Sequence, residues 1–139
     1  MASLADIDAL LERTTGVDHA ALSPDADLER DFGITGDDFS ELMEAFSKEF
    51  CVDMQAHLWY FHHEEEAAFN PGALFFPPPS RQVQRIPVTP NLLLKAANSG
   101  RWPVKYPDHV LYKYRYDLLL GYSIVGITAL ALAVVLLRG

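Results

Sequence analysis

Cysteine is nearly absent, with one residue, Cys51, in a chain of 139. That excludes an internal disulfide and a zinc site built from cysteines, and it fits a reducing compartment. Basic side chains are also scarce, at 11 Lys and Arg against 19 Asp and Glu, for a formal charge of -8. Nucleic acid is excluded as a main partner, because phosphate contacts need a basic face. The glycines do not group into a phosphate-cradling loop, so nucleotide use has no support. The first residues, Met-Ala-Ser-Leu-Ala-Asp-Ile-Asp, have neither a cationic start nor a long apolar stretch, so no signal peptide is expected. A chain this short has room for one small domain and an appendage.

What is present is unevenly placed. Residues 1–70 carry 17 acidic and 3 basic side chains, net -14, whereas residues 71–139 carry 2 acidic and 8 basic, net +6. Beyond this basic half-neck, Leu118 to Leu137 is a run of 20 residues without a formal charge. At about 1.5 Å per helical residue the run covers about 30 Å, the thickness of a bilayer's hydrocarbon core. Tyr112, Tyr114 and Tyr116 precede it with Lys113 and Arg115 between them, the pattern of an interfacial belt. A transmembrane helix over 118–137 is therefore expected, preceded by a basic aromatic neck over 104–117. Lys105, Lys113 and Arg115 precede the span and Arg138 alone follows it, so the positive-inside rule puts the N-terminal domain in the cytoplasm. The expected location is the inner membrane, as a single-pass, tail-anchored protein whose second partner is the lipid bilayer. Ala129 and Ala133 form a small-x-x-x-small pair, which would also suit a small structural subunit of a membrane complex.

The remaining 1–103 reads as a soluble helical domain. Ser3 and Asp6 form a capping box ahead of Leu4, Ile7, Leu10 and Leu11, a first helix ending near Gly16. A polar crossing segment follows to Gly36, carrying Asp25, Asp27, Glu29 and Asp31 and pinned by Leu22, Leu28, Phe32 and Ile34. Asp37 or Asp38 is the expected cap of the next helix, whose Phe39, Leu42, Met43, Phe46 and Phe50 share one face. His62, His63 and Glu64 to Glu66 read as a titratable surface loop with a short helix around 64–69. Neither that cluster nor Asp25 to Asp31 has the spacing of a zinc or calcium motif, so no metal or other cofactor is expected. Cys51, just after an apolar helix, is expected to pack. Arg85 to Val88 suits a short extended segment, and Thr89-Pro90 starts a last helix that Ser99-Gly100 ends, with Trp102 folding back onto it.

The run Leu28-Glu-Arg-Asp31-Phe-Gly33-Ile-Thr-Gly36-Asp-Asp38 resembles the acyl carrier proteins, which lead into their second helix through Asp-Leu-Gly-x-Asp-Ser-Leu-Asp. Asp31, Phe32, Gly33 and Asp38 match that motif; Thr35 replaces the aspartate and Gly36 the serine that accepts a phosphopantetheine arm. Within that class the chain is similar to small bacterial proteins grouped as domain of unknown function 1493, through Gly33 to Asp38, Tyr60-Phe61 and Leu92 to Trp102. The resemblance implies a mostly α, small carrier-like bundle and no established activity. Without a hydroxyl at 36, ordinary attachment is excluded unless Thr35 or Ser40 substitutes, which would make the chain an unusual acyl carrier. The function expected is a membrane-tethered adaptor or interaction module, not an enzyme. Its Asp37, Asp38, Glu41 and Glu44 would face a protein partner with a basic surface.

Overall fold

The computed structural model describes residues 1–18, 23–66 and 69–139, so Leu22 lies outside the described residues. The chain is mostly helical. Among the described residues five α-helices follow in order: α1 (Leu4–Thr15), α2 (Leu28–Phe32), α3 (Gly36–Phe50), α4 (Pro90–Ser99) and α5 (Tyr116–Arg138). Three 3₁₀ turns, Trp59–Phe61, Pro71–Leu74 and Pro79–Arg81, punctuate the stretch between α3 and α4. No strand occurs among the described residues; an isolated bridge joins Asp53 to Arg101.

Local signals start α1 and α4. The Ser3 side chain accepts from the Asp6 amide at 3.3 Å while the Ser3 amide donates to the Asp6 carboxylate at 2.8 Å, and Gly16 closes α1. Thr89 Oγ1 accepts from the Leu92 amide at 3.1 Å, with Pro90 in the first turn of α4. These exchanges satisfy amides that a helix start leaves without intrahelical partners. The apolar faces so aligned meet each other. Ile7, Leu10 and Leu11 of α1 pack against α3 and α4, joined by Phe39, Leu42, Met43 and Phe46 of α3 and by Leu93 and Ala96 of α4. Phe39, Leu42 and Phe46 are fully buried, each contributing roughly 1.5–3 kcal/mol by the area removed from water. Trp102 closes the same core, tied to the α3 exit by its amide bonding to the Asp53 carbonyl at 2.9 Å.

Four expectations need correcting. The acidic crossing segment holds a short helix, α2, because Asp27 caps it by accepting from the amides of Glu29 and Arg30. The cap of α3 is Thr35, through its backbone, and neither Asp37 nor Asp38 fills that role; both sit in the first turn, where the helix dipole favours them. Cys51 does not pack: the chain reverses there with φ +52°, and the side chain is exposed.

The histidines are the largest departure. Residues 64–66 form no helix, the end of the expected 64–69 helix falls partly outside the described residues, and His62 and His63 are buried. His62 Nδ1 lies 2.9 Å from the Ile86 carbonyl and its Nε2 2.7 Å from the Tyr106 hydroxyl. That hydroxyl already accepts from Trp102 Nε1 at 2.8 Å and from the Leu58 amide at 3.1 Å. Its own proton is therefore free to go to His62 Nε2, which assigns His62 the neutral form that donates through Nδ1. Burial accordingly pushes His62 down to about 4. His57, stacked on it at 5.1 Å and edge-on to Trp102, is pushed down to about 4 by burial and by the neighbouring rings. An aromatic seam thus replaces the expected titrating surface.

Candidate functional site

The entrance to α3 is held from outside by ionic and backbone contacts. Arg85 reaches the buried Asp27 with both guanidinium nitrogens, and its Nη1 lies 3.1 Å from Glu29. The Arg85 hydrogen bond, against the opposing effect of burial, holds the Asp27 carboxyl below its usual range, helped by the α2 amides. Glu29 in turn accepts from Thr35 Oγ1 at 3.3 Å and from the Glu64 amide at 3.4 Å. The loop 62–66 is thereby laid across the start of α3.

Gly36 sits beneath that loop. It is buried, and its amide donates to the Glu64 carbonyl at 3.3 Å. A Cβ at this position would overlap the Glu66 side chain, whose Cδ would lie 3.0 Å away. Glu66 is exposed and could swing aside, so the lasting obstacle is the backbone. Gly36 has φ +56°, a left-handed conformation that a serine enters at a cost of roughly 1–2 kcal/mol. The two hydroxyls nearest by are engaged: Thr35 with Glu29 and the Glu64 carbonyl, and Ser40 with the Gly36 carbonyl at 3.2 Å, as its helix position dictates.

The acidic side chains read from the sequence lie where a partner could reach them. Asp37, Asp38, Glu41 and Glu44 are all exposed on α3. They are not equivalent, since Glu44 pairs with Lys48 one turn on, which lowers the carboxyl below its ordinary value. Asp37 stands apart from the others by lining an open cleft of about 1020 Å³. Glu64, Glu65 and Glu66 line the same cleft with Arg81 and Arg115, and Phe69, Leu74 and Leu118 form its apolar part. The arrangement offers charge recognition; among the described residues no three His, Cys, Asp or Glu side chains converge on a metal position.

Arg115, an expected membrane-interface residue, has carboxylate partners within the chain. Its guanidinium makes two 2.8 Å bonds to Glu65 and two more, at 3.0 and 2.8 Å, to Asp117. Asp117 is buried, and Asn70 donates to it at 3.0 Å. The clamp fastens α5 to the turn Pro71–Leu74, against which it packs extensively. Glycines let the two backbones meet: a Cβ on Gly72 would strike the Asp117 carbonyl and lie 2.8 Å from the Gly121 amide, and one on Gly121 would lie 2.7 Å from Asn70 Oδ1. Tyr112, Lys113, Tyr114 and Tyr116 remain exposed around this junction, with Lys113 Nζ 5.2 Å from the Tyr114 ring centre.

Above the clamp, α5 is a 23-residue helix that contains an 18-residue stretch with a mean hydropathy of 2.4, long and apolar enough to cross a membrane. It starts at Tyr116, two residues ahead of the uncharged run, and buries only Asp117 and Gly121 against the rest of the chain. Sequence reading missed the Arg85 and Arg115 brackets and the Gly72–Gly121 contact. An aspartate opening an otherwise uncharged run was the one local sign of the second bracket.

Residues 6–105 match the family described as protein of unknown function (DUF1493), and the chain belongs to that family. No curated protein and no solved structure matches it.

Proposed function

We propose that this chain is a membrane-tethered, carrier-protein-like adaptor that works by binding and carries no phosphopantetheine arm. The observation that carries this reading is Gly36. It occupies the place of the attachment serine, under the 62–66 loop and with a backbone conformation that disfavours any side chain. With that chemistry removed, the carboxylates of α3 are what the carrier-like surface still offers. Asp37, Asp38 and Glu41 would steer a protein with a basic surface, setting encounter rate and partner choice more than raw affinity. The apolar α5 would hold the head at the cytoplasmic face of the inner membrane, where confinement raises the local concentration of membrane-bound partners. The lysines and arginine ahead of the span support that orientation.

Two measurements test the reading. Intact-mass analysis after coexpression with a phosphopantetheinyl transferase should return the unmodified chain. A gain of one arm's mass, mapped to Thr35 or Ser40, would make the protein an unusual carrier and overturn the adaptor. Affinity isolation from solubilised membranes should lose partners when Asp37, Asp38 and Glu41 are changed to lysine, and recovery of the same set would remove the acidic face from the mechanism.

A further inference from the structure

The head's exposed apolar surface is concentrated at one place. Among the described residues before Val110, the exposed large hydrophobic side chains are Met1 and four between 69 and 76. Phe69 and Leu74 are each 85% exposed, Phe75 is 69% exposed, and Phe76 is 37% exposed. The segment around them, 69–80, contains no charged residue. Such a cluster, on a head whose other exposed side chains are mostly polar, marks a surface meant to be covered.

Its position identifies the cover. The turn Pro71–Leu74 is locked to the first turns of α5 by the Gly72–Gly121 contact and by Asn70 on Asp117. Gly121 is the fourth residue of the uncharged run, about 5 Å along the helix from its start. Phe76 lies against Tyr116 and Tyr112, with ring centres 5.6 and 6.5 Å apart, so the segment continues the aromatic belt sideways. Asp117 beside the turn is buried and paired with Arg115, which also holds Glu65, so these charges are matched within the molecule; Phe69 and Leu74 border the cleft that carries Glu64, Glu65 and Glu66, whereas Phe75 lies outside its lining.

We propose that the Phe69–Phe76 segment is a second membrane contact, inserting Leu74 and Phe75 into the interfacial zone of the leaflet through which α5 enters. The proposal rests on α5 spanning the bilayer. Aromatic and aliphatic side chains with no accompanying charge suit the headgroup–acyl boundary, and a loop fixed to the helix reaches it without a separate search. Two contacts on one rigid seam hold the head at one tilt, with the Asp37 cleft beside the lipid surface.

Spin labelling of the full chain tests this. In a Cys51→Ser background, single cysteines are placed by Phe75→Cys, by Glu41→Cys on the exposed face of α3, and by Leu130→Cys in the middle of α5. The labelled chains are reconstituted into phosphatidylcholine–phosphatidylglycerol vesicles, and accessibility to oxygen is compared with that to an aqueous nickel chelate. The expected result is an oxygen-to-nickel ratio at 75 that is severalfold above that at 41 and below that at 130. A ratio at 75 equal to that at 41, with 130 in lipid, overturns the second contact and leaves the tether standing. Shielding at 75 from both reagents assigns the segment to a protein contact and also overturns it. An aqueous reading at 130 overturns the spanning helix itself.

Discussion

α3 and α5 are the two longest helices of the chain, and they answer to different solvents. α3 turns Phe39, Leu42, Met43 and Phe46 inward and Asp37, Asp38, Glu41 and Glu44 outward, so one face is settled by protein and the other by water. α5 is apolar all round and buries only Asp117 and Gly121. Among the described residues no packing buries the remaining turns, which a lipid core would. The contrast teaches what each helix needs: α3 finds its apolar neighbours within the fold, whereas α5 leaves apolar turns exposed that a membrane would cover. Their substitution patterns should therefore be opposite.

The largest effect should come from placing charge in α5. Ile127→Arg with Leu130→Lys should release the chain from membranes on alkaline carbonate washing, since each cation at a span's centre costs about 2.5–3.5 kcal/mol. Both side chains are exposed within the molecule, so the head's own unfolding midpoint should not move. Next, Phe46→Ala in the core should lower head stability by about 3–5 kcal/mol in urea unfolding, with membrane retention unchanged. If the two variants exchanged phenotypes, the distinction between the helices would fail.

The pH dependence is the next in size. His57 and His62 are held neutral in the fold down to about 4, whereas in the unfolded chain they protonate near 6.5. The unfolded state thus binds more protons across that window, so stability is flat above about 6.5 and falls as pH drops toward about 4. The loss is on the order of 3 kcal/mol per ring. Urea midpoints across the window read it, and His62→Phe should flatten the slope. Gly72→Val should cost about 1–3 kcal/mol at the seam by overpacking, read as faster hydrogen exchange over 69–76 with the core amides unaffected. Smallest of all, Glu44→Gln should leave the urea midpoint unchanged, because its pair with Lys48 is fully in water.

The same division explains what could be read from the residues alone. α1, α3, α4 and α5 announce themselves through signals a few residues apart: the Ser3–Asp6 box, the Phe39 to Phe46 periodicity, Thr89-Pro90, and twenty residues without charge. α2 is five residues long, too short for a period, and its cap Asp27 was masked by the acids around it. The burial of His62 depends on Ile86 and Tyr106, 24 and 44 positions away. Arg115 finds Glu65 across 50 positions, and Gly72 finds Gly121 only once the turn has docked. Contacts of that reach leave no trace in local spacing. At the candidate site, the glycine at 36 was legible, but its left-handed backbone and the loop laid over it were not.

Cys51 allows the membrane arrangement to be measured on the unaltered chain, because its thiol is exposed on the head. Cells producing the protein are treated with a membrane-impermeant maleimide before and after lysis, and the membrane fraction is weighed for the adduct. The proposed arrangement, with the head on the cytoplasmic side, predicts no labelling in intact cells and complete labelling after lysis, all of it on membrane-bound chain. Labelling from outside intact cells, or recovery of the chain in the soluble fraction, would contradict it.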